Sequence, residues 1–162
     1  MRFFREISHI YPKIKILILG PYIYEKKLGQ LVQFLKQKGF SNTYLAKERT
    51  TPINKTNNTK NIYNEVIELM ENSDFNVFYL FDNSNDSVIV ELTKLISDKN
   101  FRDREYRIYI LAPFNYNYTM VDGMISDSKI ICFNYQDESQ VYQATLNFIR
   151  RNIRNIKKEE FL

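Results

Sequence analysis

Short, β-branched apolar runs, each stopped by turn residues and each followed by an apolar stripe at helical spacing, constrain this chain more than anything else in it. The run Lys13-Ile14-Lys15-Ile16-Leu17-Ile18-Leu19 reads as a buried strand, and Gly20-Pro21 ends it. Leu28, Leu31, Val32 and Leu35 follow at helix period, with Gly39 as the residue that closes the helix. Thr43 to Ala46 predicts a short second strand, and the polar, Asn- and Thr-rich stretch 48–60 predicts a long loop. Ile62, Val66, Leu69 and Met70 mark a second helix, and Val77 to Phe81 a third strand that ends in Asp82-Asn83-Ser84-Asn85-Asp86.

Val88, Leu92, Leu95 and Ile96 make the next helical stripe, although Ser87 to Val90 alone also suits a strand. Arg107 to Leu111, stopped at Pro113, is the fourth strand; 119–126 suits a short helix; Lys129 to Phe133 is the fifth strand. A last helix carries Tyr142, Leu146, Ile149, Ile153 and Ile156. Strict alternation of strand and helix predicts an α/β chain, a parallel sheet with helices on both faces. Five strands predict a single flavodoxin-like three-layer domain of order 2-1-3-4-5 over residues 14–157, with an N-terminal arm at 1–13 and a tail at 158–162.

Composition removes several classes of function. At 162 residues, 44% hydrophobic and 26% charged, the chain is globular and of one-domain size. No apolar stretch approaches the ~20 residues that cross a bilayer, so no membrane partner is expected. The opening MRFFREISHIYPK lacks an apolar signal core and a small-residue cleavage site, which predicts a cytoplasmic protein. One cysteine, Cys132, and one histidine, His9, exclude an intrachain disulfide and argue against a Cys/His zinc site. They also argue against a Ser-His-Asp triad unless His9 folds into it. Neither GxGxxG nor GxxxxGK[ST] occurs and there are only four glycines, which disfavours a dinucleotide dehydrogenase. No metal and no cofactor are expected, and the chemistry falls to carboxylates, tyrosines, asparagines and backbone groups.

In open α/β sheets ligands bind beyond the carboxyl ends of the strands, where the strand order reverses. For this order that is the crevice between strands one and three. Gly20-Pro21-Tyr22 arrives there from strand one; Asp82, Asn83, Asp86 and Ser87 arrive from strand three. Glu91 sits roughly 40° outside the apolar arc of its helix, where a carboxylate can point into a cleft. It also reads as an ordinary helix glutamate paired with Lys94 at i+3.

These residues carry a resemblance. Leu19-Gly20-Pro21-Tyr22 after strand one, Asp82 after strand three, and Asp86-Ser87-x-x-x-Glu91-Leu92 in the next helix resemble nucleoside 2-deoxyribosyltransferases and the wider TIR-like group. Gly123 to Ser128 is similar to a G-x-S-D-N segment of some deoxyribosyltransferases, whose Asn reaches into a neighbouring subunit. Ser128 stands here where that Asn would be, and Val88-Ile89-Val90 replace the small residues usual before the catalytic Glu. The acidic residue usual at the start of strand three is matched by Asp74 in type and by Asn76 in position.

The resemblance implies that Glu91 attacks or electrostatically stabilises the sugar C1′ while the N-glycosidic bond breaks. It implies that Tyr22 orients Glu91 or holds the ribose, and that Asp86 or Asp82 protonates the base or binds sugar hydroxyls. Gly20, Pro21, Asn83, Ser87 and Asp127 complete the expected substrate contacts, with Asp127 shared across a homo-oligomer. The expected function is nucleoside or nucleotide binding with action on an N-glycosidic bond, by deoxyribosyl transfer or by NAD or nucleoside hydrolysis. A non-catalytic nucleotide-sensing or interaction module on the same fold is the alternative. Nucleic-acid binding through Arg150, Arg151, Arg154, Lys157 and Lys158 of the last helix is a weaker one.

Overall fold

The computed structural model describes residues 8–49, 59–82, 86–97, 107–114, 116 and 130–160, with backbone alone at 59–63, 86–87 and 157–160. Five strands form one sheet: β1 (Ile16–Leu19), β2 (Thr43–Leu45), β3 (Phe75–Tyr79), β4 (Ile108–Pro113) and β5 (Ile131–Tyr135). All neighbours pair parallel, in the order β2-β1-β3-β4-β5. This is the flavodoxin-like arrangement. The helices are α1 (Glu25–Gln37), α2 (Ala46–Arg49), α3 (Thr59–Asn72), α4 (Asp86–Ser97) and α5 (Gln140–Glu160).

Both faces of the sheet are covered, which is why the inner strands read as continuous apolar runs. Ile16, Ile18, Val77, Tyr79 and Leu111 point into a core shared with Leu28 and Leu31 of α1 and Val141, Leu146 and Ile149 of α5. The alternate residues Leu17, Leu19, Phe78, Leu80 and Ile110 point into a second core with Val66 and Met70 of α3 and Val88, Leu92 and Leu95 of α4. Residue spacing therefore sorts α1 and α5 to one face and α3 and α4 to the other. The segment read as a possible strand, Ser87 to Val90, is the start of α4, because its apolar residues continue at helical and not alternating period.

Element ends differ from the sequence reading by a few residues. β3 begins at Phe75 because Asn76, a polar residue inside the strand, hides its side chain by donating from Nδ2 to the Met70 carbonyl at 3.0 Å. β4 runs on to Pro113, and β5 lies at 131–135 rather than 129–133. Ala46 opens a short helix, α2, where the second strand was expected to end. The expected helix at 119–126 lies outside the described residues.

Gly20 closes β1 where no side chain fits. A Cβ there would stand 2.9 Å from the Tyr79 carbonyl oxygen and 2.5 Å from Leu28 Cδ2. Gly29, inside α1, has nothing within 4 Å of the same construction. Gly20→Ala is expected to lower unfolding free energy by about 1–3 kcal/mol through overpacking, while Gly29→Ala raises it by about 0.5–1 kcal/mol through helix propensity. Urea titration of both variants against the parent checks the pair, and opposite signs are the expected result.

Candidate functional site

The carboxyl edge of the sheet is where the strand ends, the starts of α1 and α4, and the turn before α5 converge. Pro21 is buried and extended (φ −61°, ψ 134°), so it turns the chain out of β1 into a single 3₁₀ turn, Tyr22–Tyr24. That turn throws Tyr22 outward, 68% exposed, and Tyr24 inward. The Tyr22 ring lies under Lys47 of α2, whose Nζ is 5.4 Å from the ring centroid. Lys47 also pairs with Glu25. Its ammonium is held above its ordinary pKa, first by Glu25 and then by the Tyr22 hydroxyl.

Tyr24 instead stacks on Phe81 at 4.0 Å, and Phe81 stacks on Tyr79 at 4.5 Å. Lys27, one turn along α1, places its ammonium 5.4 Å from the Tyr24 centroid and 5.5 Å from that of Phe81, and bonds Glu138 at 2.6 Å. These groups form one wall of a pocket of about 290 Å³. Phe81, Pro113, Phe114 and Tyr135, at the ends of β3, β4 and β5, supply its apolar surface; Asp82, Gln136 and Glu138 supply polar groups at its mouth. The Tyr135 hydroxyl donates to the Leu80 carbonyl. Burial first, then Tyr79, Glu138 and Asp82, push its pKa far above the usual phenol range, so it stays a donor.

Glu91 occupies the other layer. It stands on α4 between Val88 and Leu92, half-buried against the α3/α4 core. Burial raises its carboxyl to about 7. Among the described residues no cation or hydrogen-bond donor meets it, and the expected pair with Lys94 is not formed. It is a carboxyl poised between acid and base at neutral pH.

Of the residues singled out in the sequence, the pocket takes one, Asp82. Gly20 and Pro21 shape the strand-one turn, and Tyr22 faces Lys47 with no bond to Glu91 among the described residues. Asp86 and Ser87 lie in the first turn of α4 by their backbone. Asn83 and Asp127 lie outside the described residues. Asp74 sits at the opposite, amino edge, where its carboxylate accepts the Lys15 backbone N–H at 2.8 Å and ties β1 to β3. The pocket is displaced from the β1/β3 crevice toward β4 and β5. The sequence reading does not reach it, because it stops the fourth strand at Pro113 and ends the fifth at Phe133, short of Tyr135 and Gln136. Their position at carboxyl ends of strands was the available signal.

Among the described residues no three His, Cys, Asp or Glu gather as a metal set would require, and no helix is long and apolar enough to cross a membrane.

The Glu91 carboxyl has a consequence for stability. Its folded pKa, about 7, lies above its ordinary value of 4.5, so the fold prefers the protonated form. Its stabilising contribution is therefore full below pH 4.5 and is lost as pH rises through about 7. With allowance for its partial exposure, the loss is about 2 kcal/mol. Glu91→Gln should match the parent at low pH and exceed it by about that amount at pH ~8. Urea unfolding across this range checks it, and a pH-independent difference would contradict burial as the cause.

No family model matches the chain, and no curated protein matches it. Among solved structures the chain is similar to a conserved protein from Enterococcus faecalis V583, with a TM-score of 0.50 and 15% sequence identity over 80% of this chain and 95% of that one. The likeness is one of fold.

Proposed function

We propose that this chain binds a nucleoside or nucleotide at the carboxyl edge of its sheet and acts on the N-glycosidic bond, with Glu91 as the working carboxylate. The observation that carries the reading is Glu91 itself: a half-buried carboxyl near neutrality, on the helix that follows β3, with no described partner. A structural carboxylate is ordinarily matched by a cation or by backbone N–H groups, as Asp74 is. Glu91 is left able to take a proton or give up its charge.

In the proposed step the Glu91 carboxylate stabilises or attacks C1′ as the C1′–N bond breaks, and the departing base takes up its proton from water. Asp82, exposed beside the pocket, supplies a carboxylate that accepts hydrogen bonds from sugar hydroxyls. The transition state resembles an oxocarbenium ion, which a nearby negative charge favours and a neutral amide does not. Transfer to a second base or to water completes the reaction.

A second reading has its own support. The pocket is lined by α1 and by the ends of β3 to β5, whereas Glu91 packs on the opposite face. A ligand held only in that pocket would be bound and not transformed, so the chain would act as a sensor.

Incubation with NAD and a mixture of ribo- and deoxyribonucleosides, followed by mass-resolved chromatography, separates the two. Free base is the expected product. Its release should climb with pH to a plateau above about 7, since the ionised form of Glu91 is the one that works. Glu91→Gln should reduce it by at least about 100-fold, as expected when a nucleophile is lost. Equal turnover by parent and variant overturns the role of Glu91. Thermal stabilisation by a nucleoside without any product favours the sensor.

A further inference from the structure

The formal charge of +4 is not spread evenly. At the carboxyl edge the acids Glu25, Glu48, Asp82, Asp137 and Glu138 stand near Lys26, Lys27, Lys47 and Arg49, and Lys27 and Lys47 pair with Glu138 and Glu25. At the amino edge the exposed acids Glu68 and Glu71 stand on α3, which packs on the other face of the sheet from α1 and α5. Lys13 and Lys15 are exposed on the turn that leads into β1. Lys36 and Lys38 stand at the end of α1, which runs back from the carboxyl edge. The Tyr11 ring of that leading turn stacks on Phe40 just beyond α1 at 4.2 Å, so the turn and the end of α1 adjoin.

The second half of α5 arrives at the same end. Phe148 stacks on Tyr109 near the start of β4 at 4.2 Å and meets Phe75 at the start of β3, so the residues after it extend past the amino ends of the strands. Arg150, Arg151 and Arg154 are exposed there. From Gln140 to Lys158 the helix has no acidic residue. The one described acid of the leading turn and strand starts, Asp74, is buried and bonded to backbone. Cations at the last turn of a helix answer its dipole, which accounts for Lys36 and Lys38 but not for Lys13, Lys15 or Arg150.

We propose that this amino-edge surface, formed by the turn before β1, the end of α1 and the second half of α5, binds the phosphate backbone of nucleic acid. Arg150 and Arg154, four residues apart, rise about 6 Å along the helix, a spacing suited to successive phosphates. Arginine is the side chain whose planar fork grips phosphate oxygens in pairs. The same charge would attract an anionic membrane, but interfacial docking needs apolar anchors. Neither α1 nor α5 exposes a large apolar side chain among the described residues; Ile131 at the start of β5 is the nearest, and Tyr22, Ile23 and Phe114 lie at the other edge. The surface is independent of the carboxyl edge and of any reaction there. Phosphate contacts carry no base code, so binding is expected to be insensitive to sequence.

Fluorescence anisotropy of a labelled duplex of about 20 base pairs, titrated with the full chain between about 50 and about 200 mM salt, tests it. If about four phosphates are engaged, the slope of log K on log salt is about −3 to −4, a loss of roughly a hundredfold across that range. The triple variant Arg150→Glu, Arg151→Glu, Arg154→Glu should bind at least about tenfold more weakly, with a slope nearer zero. A second triple variant, Lys47→Glu, Arg49→Glu, Lys94→Glu, changes net charge equally and should bind like the parent. Equal losses in the two variants would reduce the effect to net charge and overturn the surface. So would absence of binding at the lowest salt, or retention on phosphatidylserine vesicles with none on duplex. Circular dichroism and thermal melting establish that each variant is folded.

Discussion

Parallel pairing of β1 with β3 is the constraint on which the molecule depends. Ile16 to Leu19 register against Phe75 to Phe78 on one side, while Ile16 to Ile18 register against Thr43 to Leu45 on the other. With β1 hydrogen-bonded on both sides and its four side chains buried, both of its faces need covering. A parallel connection must cross over the sheet, and each crossover supplies a helix that covers a face. The order reverses at β1, which sends α1 to one layer and α3 with α4 to the other. Asp74 on the Lys15 amide fixes the amino ends of the two strands. Gly20 against the Tyr79 carbonyl lets their carboxyl ends approach. One interaction thus sets where every later element can sit.

The same pairing divides the molecule into two ends with unlike chemistry. Strand ends, helix starts and the acidic turn before α5 gather at the carboxyl edge; helix ends gather at the amino edge, with Lys13, Lys36, Lys38 and the arginines of α5 on one face and Glu68 and Glu71 of α3 on the other. At the carboxyl edge the Tyr24–Phe81–Tyr79 stack stiffens the pocket wall, each ring pair adding about 0.5–1.5 kcal/mol beyond area burial. Lys27 packs against two of those rings and neutralises Glu138, leaving Asp82 as the mouth's uncompensated charge among the pocket's described residues. A multiply charged phosphate gains little there. A neutral or cationic group with hydrogen-bond donors gains more.

The fold was legible because burial on both faces writes itself as unbroken apolar runs such as Ile16–Leu19, and because helical stripes such as Leu28, Leu31, Val32 and Leu35 sort themselves by period. Strand ends were less so. Asn76 reads as a break, yet it is buried inside β3 by a single bond to the Met70 carbonyl, a tertiary contact that no local pattern announces. The position of Glu91 at the margin of its stripe was also legible, since arc geometry follows from spacing alone. The pocket was not. It depends on which neighbours the ends of β4 and β5 meet across the sheet, on the inward turn of Tyr24, and on the reach of Lys27 to a glutamate more than a hundred residues away. Those are consequences of three-dimensional closure and leave no periodic trace.

Glu91 and the pocket pull the functional reading in different directions, and the energetics says what would reconcile them. Keeping a carboxyl half-buried with no partner among the described residues costs stability at neutral pH, and proteins tolerate such costs mainly at working sites. Nothing in α4 requires that glutamate for packing: Val88, Leu92 and Leu95 already fill the core beneath it, and Val90 is turned to solvent. A glutamine, or an alanine with better helix propensity, would serve the helix at lower cost. The pocket, by contrast, is explained by packing alone, since the aromatic stack and the Lys27–Glu138 pair would form whether or not a ligand entered. Among the described carboxyls, Glu91 is therefore the half-buried one that packing does not account for, and that asymmetry is why the proposed function rests on the carboxylate and not on the cavity.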